Sequence, residues 1–357
     1  MFNLAIAQTY NGKKVLITGN TGFKGSWLSI TLLELGAEVY GYALEPISNQ
    51  DNFVTCKLES KYKQVYADIR DKEKLYKTFR EIEPEIVFHL AAQPLVLESY
   101  LNPVETFEVN MMGTINLLEA VKQCESVKVA INVTSDKCYD NKEWIWGYRE
   151  NEAMGGKDPY SASKGCSELI TSSYIHSFFS DKNSCLVATA RAGNVIGGGD
   201  WAENRIVPDF FKAFQKNETL NIRNPHATRP WQFVLEPLFG YITLAAELLI
   251  QGKTLQGGWN FGPLSNTHKT VGDLIQTIQE NPVYKSVNIN YTQPDFHEAS
   301  FLKLEITKAT TQLNWKPLLN FEQTMQFTIV GYSDELDKKN NVYEKRVNQL
   351  KAYMQLA

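Results

Sequence analysis

Two short stretches carry side chains suited to moving protons. In KDPYSASKG, Asp158 can cap a helix and Pro159 suits its first position, which sets Tyr160 and Lys164 four apart on one face. A free phenol has a pKa of about 10, and a nearby ammonium favours its ionised form. Such a tyrosine can take a proton from an alcohol as hydride leaves the same carbon. The second stretch, TSDKCYDNKEW, follows the apolar run VKVAINV and sets an acid and a base, Asp136 and Lys137, at a strand end. Taken alone, that pair reads as a turn residue beside a solvated lysine.

Both stretches lie downstream of a glycine loop. The run KVLIT passes directly into GNTGFKG, with Gly19, Gly22 and Gly25, and then into a helical pattern. Glycines there allow a tight turn and let backbone N–H groups approach a pyrophosphate, whose charge the helix N-terminus favours. A place between the first strand and the first helix is the context a dinucleotide site requires. The second strand closes on Tyr42, Ala43 and Leu44, with Glu45 late for the usual ribose contact. No Lys or Arg occurs from Ser26 to Cys56, so nothing there can pair with the extra phosphate of NADP, and NAD is the expected cofactor. Asp68, after QVYA, either reaches the adenine or stands as a solvated loop acid.

The elements that must position these residues alternate. Val- and Ile-rich runs at 14–18, 38–44, 86–92, 127–133 and 185–190 are separated by amphipathic stretches at 24–35, 72–82, 104–122 and 159–179. That rhythm predicts an α/β fold, a Rossmann-type doubly wound parallel sheet with helices on both faces. After about Arg191 the rhythm breaks, and glycines, prolines and polar residues crowd GNVIGGGDW and RNPHATRPWQ. A smaller C-terminal substrate-binding lobe over the sheet's carboxyl edge is expected, where ligands sit in such folds. The division expected is 1–190 for the NAD-binding domain, with a return segment at about 230–262, and 191–229 with 263–357 for the lobe.

Composition narrows the function. Over 357 residues the net charge is −4, with 43% apolar and 21% charged residues; these are globular values without the basic surplus that nucleic acid requires. The five cysteines are odd in number, widely spaced and free of any CxxC, which suits reduced thiols and points to neither a disulfide framework nor a metal site. No apolar run approaches the ~20 residues of a membrane helix, and the first residues lack a signal-peptide pattern, so a soluble cytoplasmic protein with no membrane partner is expected.

Together, GxxGxxG near the start and YxxxK in mid-chain resemble the extended short-chain dehydrogenase/reductase family. Longer strings look like its CDP-glucose 4,6-dehydratase branch: GNTGFKGSWLS, AAQPLV, TSDKCYDNKEWIWGYRENEAMGG, RAGNVIGGGDW, RNPHATRPWQ and HEASFLKL. The resemblance implies a nucleotide-sugar substrate, CDP-glucose, oxidised at C4, stripped of water across C5 and C6, and given the hydride back at C6. It implies Tyr160 and Lys164 for the C4 oxidation, Ser135 as a hydrogen bond to the C4 oxygen, and Asp136 as the acid that protonates the departing C6 hydroxyl. An ammonium cannot accept a proton, so Lys137 would be the C5 base only as a free amine, kept so by burial or by Lys164. Otherwise Lys137 steadies an enolate while water or Asp136 moves the proton.

For the cofactor, the implied contacts are Gly19, Thr21, Gly22, Phe23, Lys24 and Gly25 in the loop. Asp68, Ile69, Ala91, Ala92 and Gln93 join them from later strand ends, with Tyr160 and Lys164 at the nicotinamide. For the sugar and its diphosphate they are Asn194, Arg205 and Arg229. His297 and Glu298 match a substrate-lobe motif or are structural, and Leu97 stands where relatives carry arginine. A homodimer through the helices at 104–122 and 159–179 is also implied, with a product used in deoxysugar synthesis for surface polysaccharide. Two alternatives stay open: a related dehydratase or epimerase acting on a dTDP-, GDP- or UDP-sugar, and a non-catalytic NAD-binding sensor. Sensors of that kind typically lose the Tyr or the Lys, and both are present here.

Overall fold

Strands apolar on both faces are stable only between two helical layers, and the Val- and Ile-rich runs of this chain are buried in that way. The computed structural model describes residues 4–181, 184–263, 269–292, 302–336 and 341–356. Among them, β1 (Lys14–Thr18), β2 (Glu38–Ala43), β3 (Lys63–Tyr66), β4 (Ile86–His89), β5 (Val129–Val133), β6 (Leu186–Ala192) and β7 (Gly257–Phe261) form one parallel sheet. Its order is β3-β2-β1-β4-β5-β6-β7. The chain reverses direction across the sheet at β1, where Val15 pairs with Val39 on one side and Ile86 on the other. Connections leave β1 and β4 in opposite directions, and the crevice between their carboxyl ends is where such sheets bind ligands.

Alternate side chains of each strand supply two cores. Val15, Ile17, Phe88 and Ile131 face α1 (Phe23–Glu34) and α6 (Leu235–Gln251). Leu16, Val87, Ala130 and Val187 face α2 (Lys72–Ile82), α3 (Gly113–Gln123) and α4 (Pro159–Phe178). A third cluster lies beyond the sheet, where Phe210 and Phe211 of α5 (Ile206–Lys216) pack with Met325 and Tyr332 of α7 (Phe321–Leu336).

Three features differ from the sequence expectation. The helix expected at 104–122 is Pro103–Phe107, then a π turn at Glu108–Met112, then α3. The sheet gains two strands beyond the expected runs, β3 and β7, and in β7 two glycines hide the period. Helix α8 (Val342–Met354), expected in the substrate lobe, packs on α1, with Val347 beside Ile30 and Phe53.

Candidate active site

A cleft of about 810 Å³ opens along the carboxyl ends of β1, β4 and β5 and continues to the start of α5. At its β1 end Gly19 has φ +72, a left-handed backbone, and a Cβ there would lie 2.6 Å from the Ala91 amide nitrogen. Only glycine lets these two loops pass so closely. Helix α1 begins at Phe23 with no side-chain cap, so its first amides lack intrahelical partners. The pyrophosphate of a dinucleotide fits this cradle.

Thr21, Gly22, Phe23, Lys24, Gly25 and Asp68 line that end, with Ile69, Ala91, Ala92 and Gln93. Asp68 is not a free loop acid, because Arg70 donates to it through Nε at 3.1 Å and through a terminal nitrogen at 2.7 Å. Those bonds hold the Asp68 carboxyl below its ordinary value. Arg70 lines the cleft beyond the stretch scanned for basic residues, but it also pairs with Glu105 and Glu108, so its charge is already surrounded. Gln93 is fixed from the π turn, where Asn110 accepts its amide at 2.9 Å and donates to Ser163 of α4 at 2.8 Å.

The chemistry end begins where β5 stops. Ser135 caps a single 3-10 turn at Asp136–Cys138, accepting the Lys137 amide at 3.2 Å and donating to Asp136 Oδ1 at 3.0 Å. Asp136 is buried, and burial pushes its carboxyl up against the opposing pull of Lys137, Ser135, Lys24 and Arg229. A raised carboxyl holds its proton more firmly than a free one, which is the direction a general acid requires. Lys137 is half-buried and lines the same cleft.

Opposite stands α4. Asp158 accepts the Ser161 amide at 2.9 Å and Pro159 opens the helix, so Tyr160 and Lys164 lie one turn apart, both buried. Burial pushes Tyr160 up to about 12, opposed by a hydrogen bond with Ser135 and by the charge of Arg205. The sequence assigns that ionising influence to Lys164 instead. In the structure the Lys164 ammonium is itself disfavoured, lowered to about 8 by burial against the pull of Glu168. Lys24 also departs from expectation. Beyond lining the glycine loop, it faces Arg205, Asp136, Lys164 and Asp200, and burial followed by Arg205 lowers it to about 8.

A network behind these groups escaped sequence reasoning. Glu168, one turn beyond Lys164, accepts from Thr134, from Thr189 at 2.7 Å, and from two Arg191 nitrogens at 2.9 and 2.7 Å. Arg191 also donates to the Tyr139 hydroxyl at 2.6 Å and the Glu150 carbonyl at 3.0 Å. The network ties α4 to the strand end that carries Ser135. Its one sequence signal is spacing, since Tyr160, Lys164 and Glu168 share a helical face.

Asn194, Arg205 and Arg229 all line the far part of the cleft, as does Leu97. Arg205 donates to Asp200 at 2.9 Å. His297 and Glu298 lie outside the described residues.

With this geometry in place, comparison with known proteins is informative. The chain is 48% identical over 324 residues to the CDP-glucose 4,6-dehydratase of Salmonella typhimurium, covering 88% of this chain and 89% of that one. It superposes on the UDP-glucose 4-epimerase of Thermotoga maritima, solved with UDP-glucose, with a TM-score of 0.76 and 25% identity over 91% and 100% of the two chains. For the Thermus thermophilus UDP-glucose 4-epimerase complexed with NAD, the TM-score is 0.74 at 25% identity over 90% and 99%. A family model described as GDP-mannose 4,6 dehydratase matches residues 16–328. From its glycine loop to α7, the chain belongs to the GDP-mannose 4,6 dehydratase family.

Proposed function

We propose that the chain is a nucleotide-sugar 4,6-dehydratase that converts CDP-glucose to CDP-4-keto-6-deoxyglucose and water. The observation that carries this reading is Asp136, a buried carboxyl hydrogen-bonded by Ser135 in a cleft shared with Tyr160 and Lys164. A plain epimerase needs no acid there. The 48% identity to the Salmonella typhimurium enzyme favours cytidine as the base.

The cofactor is NAD, which when bound accepts hydride from C4 of the sugar and returns it at C6. The residues of the chain have separable tasks. Tyr160 takes the C4 hydroxyl proton in its ionised form, which Ser135 and Arg205 favour against burial, and Ser135 hydrogen-bonds the same oxygen. The resulting 4-keto group acidifies the C5 hydrogen. Asp136 gives its proton to the C6 hydroxyl, which leaves as water. Lys137 takes the C5 proton, or steadies the enolate while water or the Asp136 carboxylate takes that proton. Asn194, Arg205 and Arg229 hold the sugar and diphosphate, and residues 191–229 form part of the lobe that closes on them.

We also take the protein to be a cytoplasmic homodimer. Leu101, Val104, Met112, Leu169 and Phe178 are exposed apolar side chains on the stretch before α3 and on α4, which a second copy would cover. No described helix is long and apolar enough to cross a membrane.

Incubation with CDP-, dTDP-, GDP- and UDP-glucose, followed by assay for the alkaline chromophore of a 4-keto-6-deoxy sugar, tests the assignment. Product is expected from CDP-glucose. Product from another nucleotide alone would replace the base, and C4 inversion without water loss would make the chain an epimerase.

A further inference from the structure

Arg346, on α8, is completely buried although no part of its helix lines the cleft. A guanidinium is stable there only when its donors are met by acceptors. Its Nε donates to Asn52 Oδ1 at 2.9 Å and one terminal nitrogen donates to the Gly331 carbonyl at 3.0 Å, while the other meets Glu335 Oε1 as an ion pair without a hydrogen bond. Glu335 in turn accepts from Trp201 Nε1 at 2.6 Å. One turn earlier on α7, Tyr332 donates to the Asp200 carbonyl at 2.5 Å. The Asp200 carboxylate, 4% exposed, then holds Arg205 at 2.9 Å.

The turn that carries Asp200 and Trp201 is gripped from several sides. Trp27 of α1 donates to the Gly198 carbonyl at 2.9 Å. A Cβ at Gly198 would lie 2.6 Å from the Gly331 backbone, and one at Gly199, with φ +90, would lie 2.5 Å from Asn52. Glycines are therefore required for α7 and α8 to close on this turn.

We propose that Arg346 is a positioning residue for the cleft: through Glu335, Trp201 and Asp200 it holds the Arg205 guanidinium beside Tyr160. The inference rests on the reading of Tyr160 as the group that takes the C4 hydroxyl proton. Among the groups facing Tyr160, Asp136 and Asp158 oppose its ionisation, while Ser135 and Arg205 favour it. Lys164 adjoins it on α4, and Lys24 sits beside Asp136 and Lys164. A loosened Arg205 removes one of the two favourable influences and one cation from the substrate's path.

Two variants separate positioning from simple support. Trp201→Phe keeps an aromatic ring against Tyr332 but removes the N–H together with one ring of the indole, whereas Arg346→Lys keeps the charge and loses the fork. Steady-state kinetics with CDP-glucose across pH, NAD binding by fluorescence quenching and Tm are measured for both. Each variant is expected to raise KM roughly fivefold and move the acid limb of kcat/KM to higher pH, with NAD binding unchanged. Arg205→Met should shift the limb the same way, and adding Trp201→Phe to it should change nothing further. Additive losses in that double variant, or a lowered Tm with an unmoved limb, would overturn the proposal. If Arg346→Lys does not fold, Trp201→Phe decides alone. Wild-type protein that turns over no nucleotide sugar would overturn the proposed function instead, before any variant is read.

Discussion

Asp136 and Glu168 are carboxyls of equal burial, each 4% exposed, on either side of the joint between β5 and α4. Burial alone would raise both. For Glu168 the Arg191 charge, its paired hydrogen bonds and two threonine hydroxyls reverse that tendency and hold the carboxyl below its ordinary value. For Asp136 burial wins over the pull of Lys137, one serine hydroxyl, and the charges of Lys24 and Arg229. The charge of a directly bonded guanidinium, with hydrogen bonds beside it, thus overcomes burial for one acid, while the cations around the other do not. One carboxylate is held low by its partners, and its neighbour is pushed up by burial.

The comparison can be broken most severely on the scaffold side. Glu168→Gln leaves the Arg191 charge buried without a counterion and should cost about 3–5 kcal/mol, read from the denaturant midpoint. Loss of less than about 1 kcal/mol would mean that the two sites are not different in kind. Next comes Tyr160→Phe, expected to lower turnover ~10³-fold by loss of the proton acceptor while Tm barely moves. Asp136→Asn should slow product formation ~10²-fold yet leave C4 oxidation intact, so reduced nicotinamide absorbance should accumulate in a single turnover. Its Tm should equal or exceed that of the wild type, since no compensated charge is removed. Lys137→Met should likewise retain C4 oxidation and stop water loss, and full turnover by that variant would exclude an essential role.

The smallest effect is in pH dependence. Lys24 and Lys164 are lowered from 10.5 to about 8, so between those values the unfolded chain binds more protons and stability rises with pH. Lys164→Met should flatten that rise in a series of Tm measurements. Glu168 runs oppositely in origin: its folded value is depressed, so its contribution is complete above 4.5 and is lost as pH falls through the folded value.

What the sequence makes legible is whatever depends on neighbours within a turn or two. The glycine loop, the Asp158 cap and the Tyr160–Lys164 spacing are local, and each is read from a few adjacent letters. Arg191 reaches Glu168 across the β6 connection, and Arg346 reaches Asn52 from the opposite half of the chain, so no local pattern announces either. Lys24 was legible as a loop residue but not as a neighbour of Asp136, because the direction of its side chain depends on how α5 and α4 pack around it. Strand β7 was hidden for a simpler reason. Gly257 and Gly258 lack the side chains that reveal alternation.

A π turn amounts to one residue inserted into an otherwise regular helix, and an α-helix rotates about 100° per residue. Deleting a single residue from Glu108–Met112 would therefore swing everything after it by about that angle. Thr114 would leave Ser167, which it now meets at 2.9 Å, and Asn110 would release Ser163 and the Gln93 backbone. Every side chain proposed for catalysis would survive such a deletion, yet the wall beneath them would be out of phase. The residue count at this point is thus a variable of the enzyme in its own right, and no scan by substitution ever samples it.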